Sequence, residues 1–287
     1  VAFAKVTSQW FDRRRGLALG VMMLGLGLGA FLMPSVANVL IARFGWRLAY
    51  AVVGAGILVV SAPLVGKFLK ESPESLGLVV DGGLSGEAGA PSEPRNTAPG
   101  MSWREALRTR TFWLLLTSFA LVSASAQACF THMTAIFVDR GSNAQLAALA
   151  SSLLGGGLLI GRTGSGYLLD RFFAPRVATL IFTGAACGIA LLRVVSSPGP
   201  AFGAAFLIGL ALGAEGDVMP FLTSRYFGLR SFGEICGIIF AGFSLSGGLG
   251  PYLMGAAFDA HRSYALPLNL FCVAALVAAA LMWVAGP

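Results

Sequence analysis

The chain has 287 residues, 56% of them hydrophobic and 11% charged, with a mean hydropathy of +0.78; a soluble domain carries about 25% charged residues. This composition excludes an amphipathic soluble bundle and indicates a membrane protein, because each crossing of a bilayer core needs roughly 20 consecutive apolar residues. The net charge of +7 does not signal nucleic acid, since Lys and Arg stand singly or in pairs between apolar runs and are not gathered on one face.

In chain order, VAFAKVTSQWF at 1–11 reads as the tail of a helix, and DRRR at 12–15 as a basic loop. The first complete span covers about 16–42; ARFGWR at 42–47 is a short loop, and a second span ends near Lys67. Charge, Gly, Pro and Ser return over 70–110, the composition of a flexible linker. Ser72 before Pro73 suits a helix start. Ser102 and Glu105 have capping-box spacing, which predicts a short basic helix over 103–109 lying at the lipid headgroups. Six further spans are predicted at about 111–138, 143–167, 176–195, 199–221, 233–258 and 264–285. The domains are therefore 1–69, a helical remnant; 70–110, the linker; and 111–287, a six-helix half. Lys and Arg concentrate on the side of DRRR, the linker and Arg171, which the positive-inside rule makes cytoplasmic together with both chain ends.

Polar residues are rare enough to be considered one by one. GRTGSGYLLDR at 161–171 punctuates two apolar helices. Arg162 lies inside its span, where an arginine is costly and a functional candidate by default; its guanidinium fork suits a carboxylate, and the alternatives are an ion pair with Asp170 or snorkelling to the headgroups. Glu215 and Asp217, in GAEGDVMP, are candidates for ion or proton coupling, or for local capping and pairing with Arg225. His132, late in an uncharged span, can titrate near neutrality or line a pathway, or make a polar helix contact. Cys129, Cys187, Cys236 and Cys272 show no metal or disulfide spacing. Gly16 and Gly20, Gly25 and Gly29, Gly157 and Gly161, Gly184 and Gly188, Gly209 and Gly213, and Gly233 and Gly237 have the GxxxG spacing of close helix packing. No complete GxGxxG, P-loop, GxSxG or HExxH occurs, so no catalytic residue, metal or cofactor is expected.

Gly16, Gly20, Gly25 and Pro34 recur at one constant offset as Gly233, Gly237, Gly242 and Pro251. Internal duplication is common in transporters, and this offset predicts roughly a hundred residues before Val1. The expected fold is an all-α polytopic membrane protein with about eight complete transmembrane helices, the last two of one half and the whole of a second six-helix half.

Twelve spans, a central linker and the GxLxDR-type loop GYLLDR, Gly166 to Arg171, together resemble the major facilitator superfamily. WFDRRRGLALG at 10–20 and GWRLAY at 45–50 resemble its monocarboxylate porters and the oxalate and formate antiporter group. The resemblance implies a partial major-facilitator fold that transports a small organic anion by alternating access, with Arg162 at the position of the porters' anion-binding arginine. The acid that these porters often carry one turn earlier is here Leu158. It also implies that Asp170 meets the start of the span near Ser231, where Ser231 and Glu234 have capping-box spacing; Gly166, Asp170, Arg171, Ser231 and Glu234 would then form a conformational latch, against a solvated loop pair as the plainer reading. The expectation is a monomeric secondary transporter of the plasma or inner membrane, not an enzyme, whose partners are the lipid bilayer, a monocarboxylate-like anion and a coupled proton. The alternatives are hydrophobic drug efflux, or a non-transporting membrane scaffold or enzyme.

Overall fold

The computed structural model describes residues 15–68, 100–195, 197–228 and 230–285. Its helices are α1 (Arg15–Phe68), α2 (Trp103–Ala106), α3 (Arg110–Asp139), α4 (Ala144–Arg171), α5 (Ala174–Val194), α6 (Pro198–Phe227), α7 (Phe232–His261) and α8 (Ala265–Ala285). Among the described residues, seven helices are long and apolar enough to cross a membrane. The first of these is broken at Gly45, whose φ of 74° and ψ of 162° interrupt α1 inside the expected ARFGWR turn. Two helical segments therefore meet where a loop over 42–47 is expected, and only a glycine adopts that backbone at no steric cost.

The chain divides into two compact units, Val1–Leu26 with Val36–Ser92, and Gly27–Ser35 with Glu93–Pro287. In the first, Trp46, Tyr50, Leu58 and Val59 on α1 are exposed, and a helix apolar on all sides is the form a bilayer accommodates. Most of the linker, including Ser72 and Pro73, lies outside the described residues.

In the second unit, α4 packs most extensively on α6, α3 on α7, and α5 on α6 and α8. Lipid is as apolar as these side chains, so close backbone approach and interhelical hydrogen bonds hold such a bundle together. Ser123 on α3 donates to the Phe243 carbonyl on α7 over 3.0 Å, Tyr226 to the Ala285 carbonyl over 2.7 Å, and Phe119 meets Phe182 edge to face at 5.6 Å.

The helix ends show local chemistry at work. Ser102 and Glu105 form the expected capping box: Ser102 N–H donates to Glu105 Oε2 over 2.8 Å, and Glu105 N–H to Ser102 Oγ over 3.4 Å. α2 nevertheless stops at Ala106, short of 109, because Thr109 is the N-cap of α3 and accepts from Phe112 N–H over 3.3 Å. Met101 N–H donates to the Phe227 carbonyl over 2.9 Å, tying the residues before α2 to the end of α6. α6 passes through Pro220 and ends only at Phe227, six residues beyond the expected end at 221, with Gly228 at φ 74° as its C-cap. Asn143 caps α4 by accepting from Leu146 N–H over 2.8 Å.

Candidate functional site

The site is built on the crossing of α4 and α6. A Cβ on Gly157 or Gly161 would run into the carbonyl oxygen of Phe206 or Leu210, and one on Gly209 or Gly213 into that of Leu154 or Leu158. Two GxxxG pairs thus face each other and bring the helix backbones into contact. The other pairs behave differently. Gly188 meets Ile208 and Ala204, whereas Gly184, Gly25, Gly29, Gly233 and Gly237 have nothing within 4 Å of a Cβ among the described residues, so none of these last five packs closely against a described helix.

The register set by those four glycines places Arg162 against α6. It lies nine residues before the end of α4, about 14 Å along the helix axis. A Cβ on Gly216 would stand 3.2 Å from Arg162 Nη2, so only glycine leaves the guanidinium its full space there. One residue on, Asp217 is half-buried and feels the charge of Arg162. Ser165, one turn after Arg162 and 2% exposed, donates its hydroxyl to Asp217 Oδ2 over 3.2 Å and also contacts the Arg162 carbonyl oxygen at 3.0 Å. Ser165 was missed in the sequence, where it appears only as a small residue between two glycines.

Glu215 is fully buried, and neither carboxyl oxygen has a hydrogen-bond partner among the described residues. Local pairing of these acids with Arg225 is not what the structure shows: the Arg225 guanidinium lies over the Phe221 ring at 5.7 Å, and Asp217 is engaged by Ser165 instead. A guanidinium, a carboxylate held by a hydroxyl, and a separate buried carboxyl group can bind an anion by exchange of counter-charge and can hold a proton.

His132 is a member of a different cluster. Its Nε2 is 3.1 Å from the Pro251 carbonyl oxygen on α7, which requires Nε2–H to donate, and its Nδ1 accepts from Tyr264 Oη at 3.2 Å. Both ring nitrogens are thus spent on joining α3 to α7 and to the residue preceding α8. Arg171 stacks over Tyr167 at 4.3 Å, and Gly166 is exposed. Asp170 is in the last turn of α4, but its side chain lies outside the described residues. Ser231 is the N-cap of α7 but makes no side-chain cap. Its backbone, at φ −118° and ψ 35°, is not in the extended region from which a cap hydroxyl reaches the helix amides, so the capping box with Glu234 expected from spacing does not form. His261 Nδ1 contacts the Ala257 carbonyl oxygen at 3.0 Å. No cluster of metal-ligating residues occurs among those described.

The chain is similar to known transporters. It is 29% identical over 257 residues to monocarboxylate transporter 11 of Homo sapiens and 26% identical to that of Mus musculus, matches that cover 86% of this chain and 51% and 54% of theirs. The chain therefore spans about half the length of these relatives. A bacterial homologue of the human lysosomal transporter Spinster, solved in an inward-facing, unoccupied conformation, shares the fold with a TM-score of 0.65 at 20% identity, covering 99% of this chain and 73% of that one. The Major Facilitator Superfamily matches residues 1–251, and the chain belongs to that family.

Proposed function

We propose that the protein is a secondary transporter of small organic monocarboxylates working by alternating access, with Arg162 as the residue that holds the substrate carboxylate. The observation that carries this reading is the half-buried Arg162 guanidinium on an apolar helix, beside Gly216 and within electrostatic reach of Asp217. An arginine within a membrane span is costly unless it is used. The names of the relatives, monocarboxylate transporters, agree with it.

In this account Asp217 is the counter-anion of Arg162 when no substrate is bound, kept in place by Ser165, and an incoming carboxylate takes over the guanidinium. The arginine's fork accepts a carboxylate with two parallel hydrogen bonds. The Asp217 charge then loses its partner, which links anion binding to the charge state of the site. Glu215 is the candidate for the coupled proton, since neither of its oxygens makes a contact that a proton would displace. His132 is assigned to helix joining, because both of its nitrogens are occupied.

The test is ligand-induced thermal stabilisation of the purified protein. Lactate and pyruvate should raise the melting temperature of the wild type, and Arg162→Ala should remove that shift while melting as a folded protein in the absence of ligand. An unchanged ligand shift in Arg162→Ala would remove Arg162 from the site. Efflux of an uncharged hydrophobic compound is the second reading, favoured by an apolar cavity beside the site; it predicts export that is indifferent to Arg162→Ala.

A further inference from the structure

A cavity of about 370 Å³ opens between α6 and α7, in the size range of small-molecule sites. Its wall includes Gly216 and Met219 from α6 and Phe232, Gly233, Gly237 and Phe240 from α7, so it is almost wholly apolar. Gly216 belongs both to this wall and to the setting of Arg162, whose Nη2 lies 3.2 Å from where a Cβ on Gly216 would stand. Two of the lining glycines, Gly233 and Gly237, have no atom of the described residues within 4 Å of a Cβ, and both border the cavity.

We infer that the transported acid has an apolar body, aromatic or branched, and that the cavity between α6 and α7 holds this body while the carboxylate lies on Arg162. The inference rests on the Arg162 reading for its polar end. Charge and apolar surface adjoin across one glycine, which is the pattern of an amphiphilic anion and not of a formate-sized one. The rings of Phe232 and Phe240 and the thioether of Met219 supply a soft apolar lining that suits an aromatic ring. A one-methylene difference in an apolar pocket already discriminates roughly 10-fold or more, so a phenyl group should be distinguished readily from a methyl.

The experiment compares 3-phenylpropionate with acetate on the intact protein in proteoliposomes, by competition against a labelled monocarboxylate. The wild type should prefer 3-phenylpropionate by about tenfold or more. Gly237→Leu, which projects a side chain into open space, should reduce that preference to within about threefold. A wild type with no preference, or a preference that Gly237→Leu leaves intact, overturns the inference. Cys236, half-buried in the same wall, gives a readout that does not depend on transport or on the glycine variant folding. In a Cys187→Ser background, which removes the exposed thiol, 3-phenylpropionate should slow maleimide modification of Cys236 at concentrations where acetate does not; equal rates with the two acids overturn the inference. Arg162→Ala separates the two proposals: if both acids compete undiminished in that variant, the carboxylate assignment fails, and Cys236 protection alone then decides the cavity.

Discussion

Gly213 on α6 packs directly against the backbone carbonyl of Leu158 on α4, where no Cβ can fit. Gly213→Ala should therefore cost about 1–3 kcal/mol through overpacking, although alanine is the better helix former by about 1 kcal/mol. Gly184→Ala, with nothing within 4 Å of the new carbon, should melt at or slightly above the wild-type temperature. Thermal unfolding of the two variants in detergent checks both signs; equal melting temperatures would contradict the close crossing of α4 and α6.

That crossing determines what the sequence could and could not reveal. The membrane helices were legible because uninterrupted apolar length is a local property, and the capping box of Ser102 and Glu105 because its partners are three residues apart. The same spacing failed at Ser231 and Glu234, since it does not determine the backbone angles of Ser231. The contact from Ser165 to Asp217, 52 residues apart in the chain, depends on the register of two helices, a register carried by four glycines. Their spacing is visible, but Gly233 and Gly237 have the same spacing and meet no described residue within 4 Å of a Cβ. Pattern alone does not say which glycine pairs have a partner.

In the proposed site Asp217 competes with the substrate anion for Arg162, so removing its charge should strengthen anion binding. Asp217→Asn should lower the dissociation constant for lactate about 3- to 10-fold, the scale of one pKa unit or less of interaction energy. Ser165→Ala, which frees the carboxylate from its hydroxyl, should shift the constant in the same direction by a smaller factor. Titration of each purified variant by calorimetry measures this; weaker binding in Asp217→Asn would instead make Asp217 a direct contributor to the substrate site.

Glu215→Gln replaces the buried carboxyl by a neutral group of the same shape. If Glu215 carries the coupled proton, this variant should exchange substrate across proteoliposome membranes yet fail to accumulate it against an imposed pH gradient. Accumulation at the wild-type level under the gradient would exclude Glu215 from coupling.

Tyr264→Phe removes one of the two hydrogen bonds of His132 while keeping the ring that lies 5.7 Å from the imidazole. The expected loss is about 1 kcal/mol of stability, with the lactate affinity unchanged if, as proposed, this cluster serves to join helices. Chemical denaturation and lactate titration of the same preparation separate the two effects.

The α2 cap should respond to acid. The Ser102 backbone hydrogen bond holds the Glu105 carboxyl below its ordinary value, so the cap's contribution is complete above the usual carboxylate range and is lost as pH falls through the lowered folded value. The protection factor of the Ser102 amide, its exchange relative to the intrinsic rate at each pH, should fall in that window, and Glu105→Gln should abolish that fall.

Uptake is the most direct measurement of the central claim. The intact protein, reconstituted in liposomes, is given a radiolabelled monocarboxylate, with wild type, Arg162→Lys and Arg162→Ala incorporated to equal density. The account predicts saturable uptake by the wild type, weaker uptake by Arg162→Lys, which keeps the charge but not the fork, and none above empty liposomes by Arg162→Ala. Wild-type uptake by Arg162→Ala at equal density would contradict it.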